Sequence, residues 1–338
     1  MNRRHFLQSA LLLFSARFGN SDTLDEKLKG ALRLGPRATE FQIEETFRDC
    51  CQNLLQQEKF QQLGLFFQEL RKRRILDPSG LWLLGAAYKG VRNVGERNHE
   101  DQVALCRRWA KALPKDNSAQ VVLAEALTRF AWEIRGGGYA NTVNEKSWKI
   151  FRQTLEEADS LLRAAAHSSD RDCYTFAKRI SVSMGLQQAP KQTRAIFEQA
   201  LTFGPSHSIQ PYSAYARSLL TRWGGRSGQV ASLAKEAESL NRKRLGQGGY
   251  AFVMMHFGEK EFAREADFDW PHCRRALEDL VERFPRSRTY LQEYLTLAHY
   301  YQDREALRSL ARRNAQGKIG EGLTPQERNS HFSSSDLW

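Results

Sequence analysis

Residues 294–313, YLTLAHYYQDREALRSLARR, read as two short helices joined by a turn. Leu291, Tyr294, Ala298 and Tyr301 recur at helical spacing before the turn, and Ala306, Leu307 and Leu310 recur after it. Each helix has one apolar face and cannot bury it alone, so the pair must pack together and against neighbours.

The same writing extends toward the N-terminus. Ile43, Phe47, Cys50, Cys51 and Leu54 form one stripe, and Thr39 with Gln42 is placed to cap it. Phe60, Leu63, Phe67 and Leu70 form the next; Leu84, Ala87, Tyr88 and Val91 another; Val103, Cys106, Ala110 and Leu113 another. Asn117 with Gln120 reads as a second capping box, opening an almost wholly apolar run, Val121–Ile134, expected to be the most buried helix. Asn144 can cap a long helix carrying Trp148, Phe151, Leu155, Ala158, Leu162 and Ala165. In the second half, stripes fall at Phe176–Met184, Ile196–Ala200, Tyr212–Trp223, Val230–Leu240 and Cys273–Phe284. No segment alternates with the period of a strand, so the chain is expected to be all-α.

Three helix ends share a pattern: CRRWAKALP (106–114), AIFEQALTFGP (195–205) and CRRALEDLVERFP (273–285). Small and aromatic residues line one face, and a proline then stops the helix. These ends resemble the second helix of a tetratricopeptide repeat, and residues 294–313 resemble the helix-turn-helix core of one. The resemblance implies an α-solenoid of stacked antiparallel helix pairs with divergent repeats, which would bind a partner on a concave face.

The chain opens Asn2-Arg3-Arg4-His5-Phe6-Leu7-Gln8 and continues with an apolar run, Ser9–Ala16. The run is short of the about 20 residues that cross a bilayer and fits a signal-peptide core. The paired arginines with Phe-Leu resemble a twin-arginine export signal. The expected organisation is a signal peptide or anchor over 1–22, a linker over 23–37, a helical-repeat domain over 38–316 and a flexible tail over 317–338. The expected location is the periplasm, or the inner membrane facing it.

Fifty-one basic against 39 acidic residues give a formal net charge of +12. The clusters Arg71–Arg74, Arg242–Arg244 and Arg312–Arg313 sit at predicted helix ends and read as solvated. No basic face is interleaved with aromatics, so nucleic acid is not an expected partner. Five scattered cysteines, Cys50, Cys51, Cys106, Cys173 and Cys273, read as buried small hydrophobes, since neither a disulfide framework nor Cys-x-x-Cys is present.

Two glycine-rich segments stand apart: RGGGYANTV (135–143), followed by Trp148, and RWGGRSG (222–228), preceded by Pro211-Tyr212. Together they resemble a bacterial family known only as a domain of unknown function, over roughly residues 80–310. Glycine ends a helix readily, but three in succession exceed what a cap needs and leave room for another backbone or a ligand. Arg135, Gly137, Tyr139, Asn141, Trp148, Tyr212, Arg222, Trp223, Gly224 and Gly225 are therefore the candidate binding residues, Arg, Tyr and Trp being the types that dominate binding hot spots. Glu265, Asp267 and Asp269 read as a solvated acidic loop.

Eight scattered histidines show no metal-ligand spacing, and neither Gly-x-Ser-x-Gly nor His-Glu-x-x-His occurs. No cofactor, metal or catalytic residue is expected. The function expected is a non-catalytic, monomeric scaffold for another protein or peptide, an acidic one suiting the basic surface, with membrane contact only through the N-terminal segment. A periplasmic immunity or inhibitor protein is the second reading, and a hydrolase or other enzyme the third.

Overall fold

A computed structural model describes residues 40–92, 98–137, 142–258 and 260–320. The export motif, Thr39, Tyr139, Asn141 and nearly all of the tail lie outside these residues. Among the described residues fifteen α-helices follow one another: α1 (Glu40–Gln56), α2 (Phe60–Arg73), α3 (Leu84–Arg92), α4 (His99–Ala112), α5 (Asn117–Arg135), α6 (Glu145–His167), α7 (Cys173–Gly185), α8 (Pro190–Leu201), α9 (Gln210–Ser218), α10 (Gln229–Leu245), α11 (Gly248–Met254), α12 (Lys260–Glu265), α13 (Trp270–Arg283), α14 (Arg288–Tyr300) and α15 (Arg304–Ala315). The described residues contain no strand, only an isolated bridge between Leu76 and Trp82. The chain is all-α; many helices adjacent in sequence pack on one another, and α1 with α3, α7 with α9 and α11 with α13 pack across an intervening helix. None is long and apolar enough to cross a membrane.

The caps explain where helices begin. Asn98, Asn144, Asp172, Asp269, Ser287 and Asp303 each accept a backbone N–H of the first turn that follows. At α5 the cap is Asp116, which accepts from the Ser118 amide at 2.9 Å. Asn117, predicted as that cap, is instead the first helical residue, and its side chain donates to the Asp170 carbonyl.

The buried side chains form two cores. One runs from Phe47 to Val182, the other from Ala166 to Ile319, and Phe203 packs against both. All five cysteines are buried. Burial pushes the Cys51, Cys106, Cys173 and Cys273 thiols up, Cys106 and Cys173 to about 12, which keeps them protonated and unreactive.

Three expectations are corrected. The most thoroughly buried helix is α11, every residue of which is buried, whereas α5 keeps Phe130 and Trp132 partly open. Having no polar face, α11 carries no stripe to read. Gly248 and Gly249 let it press against Leu280 and the Ala237 carbonyl. On α10, Leu240 points to solvent at 50 % exposure, and its neighbour Asn241 is buried, donating to the Tyr212 hydroxyl at 2.9 Å and to the Ala237 carbonyl. Finally, Arg71 is not solvated. Its side chain is 8 % exposed and donates to Asp172 (2.7 Å), Ser118 (2.9 Å) and Tyr88 (2.7 Å). Arg244 likewise turns inward, to the Gly80 and Ser206 carbonyls.

The chain also closes on itself. Helix α14 reaches α1, where the Thr289 amide donates to Glu40 Oε2 at 2.9 Å. The segment between α2 and α3 bonds to residues far along the chain: the Trp82 amide donates to the His207 carbonyl (2.9 Å), and the Tyr290 hydroxyl to the Ser79 carbonyl (3.2 Å).

Candidate binding site at two glycine-ended turns

The first turn is built by the end of α5. Gly136 adopts φ 73° and its amide bonds back to the Trp132 and Glu133 carbonyls, terminating the helix. Asn144 then starts α6. The returning helix sets Trp148 and Phe151 beside Trp132: Phe151 lies 5.5 Å from Trp148 and 4.9 Å from Trp132 between ring centroids, both edge-on. The Arg135 guanidinium stands over both indoles, 5.3 Å from Trp132 and 5.2 Å from Trp148. Gly185 of α7 makes room beneath, since a Cβ there would press on Leu155, Trp132 and Phe151.

The second turn is the 3-10 helix Thr221–Trp223. Gly224 ends it at φ 89°, and a Cβ on Gly225 would run into the Leu219 carbonyl. This brings Trp223 edge-on to Trp132 at 5.4 Å and 81°. Two segments far apart in sequence therefore meet in one cluster of Trp132, Arg135, Trp148, Phe151 and Trp223.

Arg222 turns the other way. Its guanidinium binds Glu265, with Nε 2.9 Å from Oε1, and lies 4.7 Å from the Phe262 ring. Thr221 adds a bond to the same carboxylate at 3.2 Å. Asp267 accepts from the Gly228 amide at 2.5 Å and the Ser227 hydroxyl at 3.2 Å, and Asp269 caps α13. Asp267 and Asp269 are exposed, as a solvated run would be, but Glu265 and Asp267 also clasp the RWGGRSG turn. The Arg222 hydrogen bond holds the Glu265 carboxyl below the usual carboxylate range.

Of the predicted residues, Arg135, Trp148 and Trp223 are brought together. Gly224 and Gly225 shape the turn, Arg222 clasps it, and Tyr212 is in the core at 0 % exposure, away from any partner. Gly137 is exposed, and among the described residues nothing lies within 4 Å of where its Cβ would stand. Its φ is outside the left-handed region as well, so neither conformation nor packing against the described residues accounts for a glycine here. Sequence reasoning missed Trp132, Gly185 and Glu265. Trp132 was hidden in an apolar run, and only the fold pairs it with Trp223.

Beside the second turn lies an open cleft of about 360 Å³ lined by Arg194, Tyr215, Leu219, Gly228, Gln229 and Glu236. Arg194 forks onto Glu236 with bonds of 2.8 and 2.6 Å. The arrangement offers stacking faces, a held cation and hydrogen-bond donors. Among the described residues no three His, Cys, Asp or Glu side chains converge as a metal site.

No curated protein and no solved structure matches the chain. Residues 48–200 match the model of a family described as a domain of unknown function (DUF4034), a stretch that covers most of the first core with Arg135 and Trp148 and stops short of the RWGG turn that packs against it.

Proposed function

We propose that this chain is a non-catalytic helical scaffold, with tetratricopeptide-like pairing of its helices, that binds another protein or peptide. Its contact surface centres on Trp148, Trp223, Arg135 and Gly137. The observation that carries this reading is Gly137, an exposed glycine with nothing among the described residues near its Cβ position, two residues after an arginine that stands over two half-buried indoles. A glycine so placed allows close approach by another chain, and indoles beside a guanidinium are the groups that anchor such contacts. The twin-arginine resemblance supports the periplasm as the place where this happens.

A photo-crosslinking residue introduced at position 137 tests the proposal in the native host. The expected result is one discrete polypeptide adduct, lost when Trp148→Ala and Trp223→Ala are added, with far-UV helicity retained. An adduct pattern identical to that from a probe at Leu65, an exposed position on α2 remote in sequence from both turns, overturns it. For the address, Arg3→Lys with Arg4→Lys should leave the chain in the cytosolic fraction; unchanged export would remove the twin-arginine reading.

A further inference from the structure

The end of CRRWAKALP and the residues after it make the turn from α4 into α5. The Leu113 amide donates to the Trp109 carbonyl (3.0 Å) and closes α4, and the Asp116 amide donates to the Leu113 carbonyl (3.0 Å). Gly64 and Leu65 of α2 stand opposite this turn. Between the two lies a cleft of about 320 Å³, the size of a small-ligand site. Leu65, Leu113 and Pro114 give it apolar walls, and Leu65 is 44 % exposed.

Asp116 also lines the cleft, and only half of its carboxylate is satisfied. The side chain is 7 % exposed, and Oδ1 caps α5 by accepting the Ser118 amide at 2.9 Å. Its Oδ2 is buried with no hydrogen-bond partner among the described residues. That oxygen lies against α2 where Gly64 carries no side chain; a Cβ there would stand 2.5 Å from it. A buried carboxylate oxygen without a donor is costly, and a ligand that brings the donor recovers that cost. The donor need not be a cation. Lys115 lines the cleft, the Arg71 charge acts on the carboxylate, and the N-terminus of α5 lies behind it.

We propose that this cleft binds a small apolar molecule carrying one neutral N–H or O–H donor, with the donor on Asp116 Oδ2 and the apolar body against Leu65, Leu113 and Pro114. A small turn of the carboxyl about its soft terminal torsion brings Oδ2 to the donor while Oδ1 keeps the Ser118 amide. Groups of this kind, apolar at one end and hydrogen-bonding at the other, are indoles and phenols. The site shares no residue with the indole cluster at the two glycine turns or with the Arg194 cleft.

Equilibrium dialysis of the full chain tests this, with indole as the probe and indene, which has a methylene in place of the N–H, as its control. The wild-type chain should bind indole more tightly than indene. Asp116→Asn keeps an oxygen for the Ser118 amide and places a donor where Oδ2 stands, so the indole-to-indene affinity ratio should fall about tenfold. Leu65→Ser, a change at an exposed position, should weaken both compounds about threefold and leave their ratio unchanged, which keeps the test decisive if Asp116→Asn fails to fold. No saturable binding of indole, indene bound as tightly as indole by the wild-type chain, an unchanged ratio in folded Asp116→Asn, or undiminished binding by Leu65→Ser overturns the site.

Discussion

Glycines that are identical in sequence do different work here. Among the described residues Gly225 is demanded by packing, Gly136 and Gly224 by their backbone angles, and Gly137 by neither. Gly225→Ala should accordingly cost about 2–3 kcal/mol in urea unfolding, because its Cβ meets rigid backbone. Gly137→Ala should change stability by no more than about 0.5 kcal/mol and still weaken partner binding. Charged residues divide in the same way. Arg71→Met would leave Asp172, 0 % exposed, without its counter-charge, and should destabilise by about 3–5 kcal/mol. Asp172→Asn added to it should recover part of that loss. The ion pair between Glu265 and Arg222 makes the second turn sensitive to acid. The Glu265 carboxyl is depressed by Arg222, so the clasp on the RWGG turn persists above the usual glutamate value of about 4.3 and is lost as pH falls below it. Trp223 emission should report that release on acidification, and Glu265→Gln should show none of it.

At the scale of the helix, most of the architecture is legible in spacing. Stripes such as Phe151, Leu155, Ala158, Leu162 and Ala165 lie buried along α6 as their period requires. The legible signal fails where polarity stops alternating. Helix α11 is buried on every side and so shows no period at all. Caps are read correctly in kind and one residue off in place at α5, because Asp116 and Asn117 are both good caps and only the contact with Asp170 draws Asn117 into the helix. Asp116→Ala should lower the unfolding free energy by about 1 kcal/mol through the lost cap. Asn117→Ala should leave the start of α5 intact and remove only its link to the Asp170 carbonyl.

For the molecule as a whole, two cores share Phe203, and the last helices return to the first. A chain ended after Pro285 would lose Thr289 and Tyr290, and with them the bonds to Glu40 and the Ser79 carbonyl. Exchange protection at Leu81 and Trp82 should fall in that chain well before protection in α5 or α6 does. The sequence by itself determined the all-α class, the helix spacing, the burial of the cysteines and the presence of two unusual glycine turns, since each is written in residues within a few turns of one another. Only the tertiary structure decided that Trp223 meets Trp132, that Arg222 is clasped by Glu265, that Arg71 and Arg244 face inward, and that Ser79 receives a hydrogen bond from Tyr290, 211 residues away. Periodicity states which face of a helix must be buried. It does not state against what, because that choice is made by the summed packing of all the faces at once.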